Sequence, residues 1–120
     1  FRSAGGTILL SKDGLTWSSQ SVNAQSHRDV IFGNSKFVTV GDNGVIFTSS
    51  DSGTSWTSIV SGTSEYLHGV YFKNNIFLAV GNSGTLLSST NAINWTKRNS
   101  GTTSQLRGIT YGNNLIFCSW

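Results

Sequence analysis

Residues 37–44 read FVTVGDNG and residues 77–84 read FLAVGNSG, so an apolar run closed by a Gly-x-x-Gly pattern occurs twice, 40 positions apart. Aromatic residues follow the same period, with 40 positions between phenylalanines and 39 between tryptophans: Phe37, Phe77, Phe117, Trp17, Trp56 and Trp95. Matches at this regular spacing indicate that the 120 residues are three copies of one structural unit.

The composition indicates that each unit is built from β-strands. The chain has 14 Gly, no Pro and no Met, with 12% aromatic and 11% charged residues, which favours strands and turns over helices. In the middle copy we predict four strands, at residues 69–72, 76–80, 85–89 and 94–97. Four strands in a period near 40 are typical of a propeller blade, so the predicted fold class is an all-β propeller.

A hairpin corner between the third and fourth strands recurs in every copy. Residues 49–56 read SSDSGTSW, and shorter versions stand at residues 11–17 and 89–95. The Asp carboxylate can accept hydrogen bonds from its own turn, Gly can take a positive φ, and Trp can pack on the hairpin. The third corner has Asn91 and Ala92 instead of Asp and Gly, and is predicted to be weaker. We predict a structural role for Asp13, Trp17, Asp51, Gly53, Trp56, Asn91 and Trp95.

These features resemble known repeat families. The segment 49–56 is similar to the Asp-box (BNR repeat), the Ser-x-Asp-x-Gly-x-Thr-Trp hairpin of sialidases and other propellers. The repeat as a whole resembles those of the photosystem II stability and assembly factor family. The resemblance implies a propeller scaffold of the kind that binds proteins or glycans or accompanies enzymes, and a shared fold does not transfer a function.

The number of copies predicts how a ring could close. By alignment, the sequence starts just before a third strand, at residues 7–10, and stops after a second strand, at residues 117–120. We therefore interpret residues 1–120 as a single domain of three blades, one of them split between residues 1–28 and 105–120. Three blades fill about half of a six-bladed ring, so we expect two copies to complete it as a head-to-tail homodimer. The alternative is a piece of a longer propeller.

Few residues of the sequence are suited to catalysis. It contains one Glu and four Asp, two of them in hairpin corners, which is too few for a glycosidase or sialidase site. The two His share no repeat position, and no spacing of His, Cys or acidic residues matches a metal site. We therefore expect no enzyme activity, no metal and no cofactor.

The charge and hydropathy of the chain limit its partners only loosely. The net charge of +3 is spread without a dense basic stripe, which argues against nucleic acid as a partner. No apolar run reaches the length needed to span a membrane. Nothing in the sequence indicates a cellular location.

The remaining aromatic residues and the lone cysteine are interpreted mostly as core. Phe32, Phe72 and Tyr111 align at one position of the first strand. Cys118 stands in an apolar run and is expected to be a small core residue. Tyr66 differs, because its repeat equivalents are not aromatic, and we take it as a candidate contact residue.

One group of side chains is predicted to meet at a mouth of the central channel. Arg28, His68 and Arg107 occupy the same repeat position, where an inter-blade loop enters the innermost strand, and we call them the collar. Their positive charge is suited to an anionic ligand or an acidic protein segment. The alternative is that each Arg hydrogen-bonds loop carbonyls or pairs locally, Arg28 with Asp29 for example. The collar face is the collar together with Asp42, Asn82, Glu65 and Tyr66.

The predicted function follows from a polar face and the missing catalytic residues. We expect a non-enzymatic propeller scaffold that recognises a protein partner through its inter-blade loops. The alternative is a lectin-like module with repeated glycan sites between blades. A sialidase-like hydrolase fragment is the third hypothesis, and the acidic residues of the sequence favour it least.

Overall fold

The computed structural model describes the backbone of residues 7–11, 13–21, 27–112 and 115–119, and the side chains of residues 11, 13–19 and 27–109. Over these residues it contains twelve β-strands, two short 3₁₀ turns and no α-helix. The strands are β1 (Thr7–Ser11), β2 (Trp17–Ser21), β3 (His27–Gly33), β4 (Lys36–Gly41), β5 (Ile46–Ser49), β6 (Thr57–Ile59), β7 (Leu67–Lys73), β8 (Ile76–Gly81), β9 (Leu86–Ser89), β10 (Thr96–Lys97), β11 (Gly108–Gly112) and β12 (Leu115–Ser119), and the 3₁₀ turns are Asp42–Gly44 and Asn82–Gly84.

Eight of the strands form two four-stranded antiparallel sheets of equivalent construction. Their strand orders are β3-β4-β5-β6 and β7-β8-β9-β10. The registers match as well, since Phe37 pairs with Ser49 across β4 and β5, and Phe77 pairs with Ser89 across β8 and β9. The predicted all-β fold is confirmed, and these two sheets have the organisation of propeller blades. We call them the first blade and the second blade.

Two further hairpins belong to the third repeat. β1 pairs with β2 and β11 pairs with β12, each pair as a separate two-stranded antiparallel sheet. By alignment, β11 and β12 correspond to the first and second strands of a blade, and β1 and β2 to the third and fourth. The described strands include no ladder that joins the two hairpins. The predicted division of one blade between two segments stays a prediction.

Tight turns join the first and second strands of each blade. Asn34 and Ser35 have φ values of 51° and 64°, and Asn74 and Asn75 have values of 53° and 63°. Two successive residues with positive φ are the signature of a type I′ turn, whose twist matches that of the flanking strands and which Asn tolerates. The predicted strands, residues 69–72 and 76–80, left Lys73 in the turn between them, whereas the structure assigns it to the end of β7.

The hydrophobic core lies along the second and third strands of the two blades. Consecutive residues are fully buried in both second strands, such as Val38 and Thr39 in β4 and Ala79 and Val80 in β8. Neighbouring residues of a strand point to opposite faces, so both faces of these strands are covered. This is the pattern of a sheet stacked between other parts of the protein, as the near-continuous apolar runs predict.

Phe32 departs from its predicted place in the core. Phe72 is half-buried and lies 4.5 Å from Phe77, measured between ring centroids. Phe32 makes the corresponding contact within its own blade, yet it is 58% exposed. The first blade covers Phe72, whereas the described residues place no blade on the outer side of Phe32. The core prediction is therefore wrong for Phe32, and the side chains of Tyr111 and Cys118 lie outside the described part.

The innermost strands β3, β7 and β11 lie side by side in that order. Asp29 on β3 links the first two blades, because its Oδ1 accepts the N–H of Val30 at 2.9 Å and its Oδ2 accepts the N–H of Val70 on β7 at 3.0 Å. The repeat equivalent of Asp29 in the second blade is Gly69. A carboxylate at this one position thus ties the blades together through a backbone donor.

His27 occupies a core position that other copies fill with leucine. It is 3% exposed, and its repeat equivalents Leu67 and Leu106 are equally buried. The Nδ1 atom of His27 lies 2.9 Å from Oγ1 of Thr39, and its ring centroid lies 5.5 Å from that of Phe47. Burial lowers the pKa of His27, because desolvation disfavours the charged imidazolium.

The double variant His27→Leu/Thr39→Ala reproduces the second blade, which has Leu67 and Ala79 at these positions. We expect the free energy of unfolding of the wild type to fall on acidification, and that of the double variant to fall less. A histidine whose pKa is lowered in the folded state makes its full contribution to the free energy of unfolding above about pH 6.5. This contribution falls at lower pH, because the unfolded chain then binds a proton that the folded chain does not. Urea unfolding at about pH 7.5 and about pH 5.5 measures the effect.

The single variant His27→Leu is the matched control. It leaves the buried hydroxyl of Thr39 without its contact to Nδ1, and it should be about 1–3 kcal/mol less stable than the double variant at both pH values. An equal loss of stability on acidification in the wild type and the double variant would show that another group titrates.

Candidate functional site

Two residues of the collar face, Arg28 and Asp42, form an ion pair within the first blade. Arg28 is the second residue of β3, and its Nε donates to Oδ1 of Asp42 in the turn after β4. The strand register shifts between His27 and Asp29, so Arg28 is the extra residue of a β-bulge and its side chain is redirected to the strand end. The alternative interpretation named Asp29 as an example of a local partner for Arg28; the structure pairs Arg28 with Asp42 of the same blade, while Asp29 accepts backbone N–H groups.

Tyr66 covers Arg28 from the neighbouring blade. It lies in the loop between β6 and β7, and Cζ of Arg28 is 5.3 Å from the centroid of its ring. A cation–π contact at a partly exposed site contributes about 0.5–1 kcal/mol and restricts both side chains. Tyr66 is 38% exposed. The loop of the second blade therefore orders the collar arginine of the first and leaves part of the aromatic ring accessible.

The second blade repeats the arrangement with different residues. His68 is again the extra residue of a bulge, and its Nε2 lies 2.7 Å from Oδ1 of Asn82. The 14 positions between His68 and Asn82 equal those between Arg28 and Asp42. The fold thus directs this position toward the turn after the second strand, whichever polar pair occupies it.

Gln105 belongs to the collar face and was missed from the sequence. Its side-chain amide lies 2.8 Å from Nε2 of His68. With the amide oxygen oriented toward the basic side chains, it also accepts from Nη2 of Arg107 at 3.0 Å and from Nε at 3.3 Å. Gln105 and Tyr66 each stand two residues before a collar position, and this shared spacing is the signal that could have found Gln105.

Glu65 lies beside the same turns. Its Oε2 accepts the hydroxyl of Ser83 at 3.3 Å, and Ser83 follows Asn82 in the turn after β8. Every residue predicted for the collar face therefore contacts another residue of this face or of its turns: Arg28, Asp42, Glu65, Tyr66, His68, Asn82 and Arg107.

The comparison with protein families agrees with the blade architecture. A family model described as the DUF6242 beta propeller domain matches residues 12–119. The chain belongs to the DUF6242 propeller family. No curated protein and no solved structure matched the chain. The predicted β-propeller is thus confirmed in kind, while the resemblances to Asp-box propellers and to the photosystem II factor family stay predictions.

The hairpin corners of the DUF6242 propeller close on side-chain oxygens. Asp13 Oδ1 accepts the N–H groups two and three residues ahead at 2.8 Å and 2.9 Å. Asn91 Oδ1 does the same at 2.9 Å for both groups, and Ala92 takes the positive φ of 61° predicted for Gly. Because the N–H of Asn94 is used in this corner, β10 begins at Thr96, later than predicted.

Asp51 is the acid of the longest corner. Its Oδ1 accepts the hydroxyl of Ser49 at 2.8 Å and the N–H of Ser55 at 2.9 Å, and its Oδ2 accepts the hydroxyl of Ser55. These bonds, led by the Ser55 hydroxyl, lower the pKa of Asp51 to about 2. The N–H of Thr16 is the main cause of a lowered pKa at Asp13. Both carboxylates are therefore anionic turn-closing groups at neutral pH.

The three tryptophans of the DUF6242 propeller differ in their surroundings. Trp56 donates from Nε1 to the carbonyl of Gly53 at 3.2 Å, so it packs back on its own corner. Trp95 packs against the core, with its ring centroid 6.4 Å from that of Phe77. Trp17 is 54% exposed, more than its predicted packing role implies.

The part of the DUF6242 propeller that the structure describes contains neither a metal-ligand cluster nor a membrane-spanning helix. It has no group of three or more His, Cys, Asp or Glu side chains placed to hold a metal ion. Among the same residues, no helix has the length and hydropathy to cross a membrane. Every acidic side chain of the sequence accepts a hydrogen bond: Asp13, Asp29, Asp42, Asp51 and Glu65.

Proposed function

We propose that this DUF6242 propeller is a non-enzymatic scaffold that binds a protein partner through its collar face. The main support is that collar residues of neighbouring blades are linked, since Tyr66 covers Arg28 and Gln105 bridges His68 and Arg107. Side chains held in this way lose less conformational entropy when a partner binds. Arg and Tyr are also among the residues that most often dominate protein interfaces.

The state of the acidic residues supports binding over catalysis. A catalytic acid needs a carboxyl group whose pKa is raised toward neutrality, whereas the pKa values of Asp13 and Asp51 are lowered. Asp29 accepts two backbone N–H groups, and Asp42 is paired with Arg28. A hydrolase would have to break these structural contacts before it could use these carboxylates.

The charge of the collar indicates the chemistry of the partner. Arginine guanidinium groups bind carboxylates with two parallel hydrogen bonds, and Arg28 and Arg107 stand at equivalent positions of the face. The side chain of Arg28 is 37% exposed, and Asp42 and Tyr66 already orient its guanidinium group. An acidic segment of a protein is therefore the partner that the collar face suits best.

A head-to-tail homodimer is the form in which we propose that the scaffold acts. The hairpins β1–β2 and β11–β12 are separate two-stranded sheets, and each has the strands that the other lacks for a complete blade. Two copies would form a six-bladed ring in which hairpins of different copies complete two blades. Light scattering after size exclusion should then give twice the 12.9 kDa of one chain, and the mass of a single chain would contradict the ring.

The double variant Arg28→Ala/Arg107→Ala tests the collar. We expect it to bind a fluorescein-labelled hexaglutamate peptide at least about tenfold more weakly than the wild type, because each lost charged hydrogen bond is worth about 1.5–3 kcal/mol. Fluorescence anisotropy at about 50 mM salt, where screening is moderate, gives the dissociation constants.

The matched control is Lys97→Ala/Arg98→Ala, which removes two positive charges from the end of β10 and the residue that follows it. Both residues are exposed, and Arg98 donates to the Ser88 hydroxyl at 2.8 Å, away from the collar. This control should bind the peptide like the wild type. Equal losses in the two double variants, or no saturable binding by the wild type, would contradict the proposed site.

A lectin-like function is the second candidate, and one observation favours it. Two grooves of about 300 Å³ each lie at equivalent positions on the outer strands of the two blades. Hydroxyl and amide side chains line both of them: Thr48, Ser50, Ser55 and Thr57 in the first, and Ser88, Thr90, Asn94 and Thr96 in the second. Saturable binding on a glycan array that is lost in Lys97→Ala/Arg98→Ala would favour this function, since Arg98 lines the second groove.

A further inference from the structure

A glycine facing a phenylalanine forms one of the contacts between the first and second blades. Gly33 ends β3 and lies so close to the ring of Phe72 on β7 that a Cβ atom at Gly33 would overlap the ring. Phe72 is half-buried there, with Phe77 of its own blade behind it at 4.5 Å. The missing side chain of Gly33 thus makes room for the ring of the next blade.

Phe32 has the same ring and half of the same surroundings. It is the repeat equivalent of Phe72, and its centroid lies 4.8 Å from that of Phe37, as Phe72 lies near Phe77. It is nevertheless 58% exposed, because the described residues place no strand with a glycine against it, as Gly33 on β3 lies against Phe72. The first blade therefore has a flank on which the described residues place no neighbouring blade.

The chain itself contains a strand that matches this flank. The repeat equivalents of Gly33 are Lys73 and Gly112, and Gly112 ends β11. Gly33 precedes a blade with Phe at the facing position, whereas Lys73 precedes the repeat that has Tyr111 there. Glycine is thus matched with phenylalanine across the blade boundary. By the same pattern, the blade that follows Gly112 in a ring would be expected to have phenylalanine at the facing position.

We propose that the flank around Phe32 is the docking surface for the β11–β12 hairpin of a second copy, with Gly112 of that copy against Phe32. β12 of the second copy then pairs with β1 and completes a four-stranded blade. This inference rests on the ring assembly of the proposed function and specifies which surfaces form it. Each copy supplies one flank and one hairpin, so two copies in head-to-tail order satisfy both.

The registers of the two blades define how β12 and β1 would pair. In both blades the Phe of the second strand is opposite the last Ser of the third strand, as for Phe37 with Ser49 and Phe77 with Ser89. Applied to the third repeat, this register places Cys118 opposite Leu10. Opposite residues of an antiparallel pair have Cα atoms about 4.5–5.5 Å apart, which lies within the range that a disulfide bridges.

The variant Leu10→Cys tests the proposed docking directly. Mild oxidation should join Cys118, the only cysteine of the wild-type chain, to Cys at position 10 of the other copy. Two bridges would form in one ring, and denaturing electrophoresis without reductant should show a species of twice 12.9 kDa that reductant dissociates. Leu9→Cys is the matched control and should not cross-link, because adjacent strand residues point to opposite faces.

The outcomes separate this inference from the proposed ring. A dimer by light scattering in which Leu10→Cys fails to cross-link overturns the docking of β12 on β1, although the chain would still form a dimer. A dimer in which only Leu9→Cys cross-links overturns the proposed register while the ring survives. A disulfide within one chain overturns it as well, since β12 would then pair with β1 of the same copy. A wild type that is monomeric at all concentrations contradicts both proposals.

Phe32→Ser provides a second test that does not depend on a disulfide. We expect it to raise the dissociation constant of the dimer at least about tenfold by removing a ring that the second copy buries. Val60→Ser is the control, because Val60 is 85% exposed after the outermost strand of the first blade. Sedimentation equilibrium measures both constants, and an unchanged constant in Phe32→Ser would overturn the docking surface.

Discussion

Replacing Gly84 by alanine is expected to lower the free energy of unfolding by about 2–5 kcal/mol, the sum of backbone strain and steric overlap. Gly84 has a φ of +68°, and its Cβ atom would overlap the carbonyl oxygen of Thr102 in the loop that leads to the third repeat. Ser100 holds that loop in place, since its hydroxyl donates to the carbonyl of Gly84 at 2.7 Å. The loop therefore cannot move aside without losing this hydrogen bond.

Gly101→Ala is the matched control for Gly84→Ala. Gly101 has a φ of +79°, and no atom lies within 4 Å of the position that a Cβ would take there, so it reports backbone strain alone, about 1–2 kcal/mol. Urea unfolding of both variants gives the overlap as their difference. The first blade offers the same pair in Gly44 and Gly62. Equal losses at Gly84 and Gly101 would show that the loop yields to the new methyl group.

The period of the sequence predicts the fold well, because it reflects local chemistry. Asn74 and Asn75 favour a turn with positive φ wherever they follow a strand, and the apolar run before Gly81 favours a strand buried on both faces. The contact of Gly84 with Thr102 could not be predicted in this way. It joins the turn after β8 to the loop that follows β10, and only the packing of that loop against the turn determines it.

The candidate site was predicted in part, and for a different reason. The collar position could be predicted because Arg28 and His68 occupy the same position of the repeat. The structure shows that a repeated bulge directs both side chains in the same way. Gln105 was missed because it has neither charge nor an aromatic ring, although its spacing equals that of Tyr66. Phe32 was misassigned because alignment treats all copies as equal, whereas burial depends on which copy has a neighbour.

Replacing Phe77 by alanine is expected to lower the free energy of unfolding by about 3–5 kcal/mol. Phe77 is fully buried and contacts Phe72 and Trp95, with centroid distances of 4.5 Å and 6.4 Å. Phe37→Ala is the matched comparison, because Phe37 has the same repeat position and register yet is only half-buried beside the exposed Phe32. Its loss should be smaller by about half, as measured by urea unfolding at low protein concentration.

The difference between Phe37 and Phe77 also reports on assembly. Burial of Phe32 by a second copy would enclose Phe37 as Phe72 and its neighbours enclose Phe77, so the loss in Phe37→Ala should grow with protein concentration. The loss in Phe77→Ala should change less, because the chain buries Phe77 by itself. The difference between the stability losses in Phe37→Ala and Phe77→Ala should therefore shrink as the protein concentration rises. A difference that stays constant would mean that no second copy covers this flank, because a bound copy would change the surroundings of Phe37 and not those of Phe77.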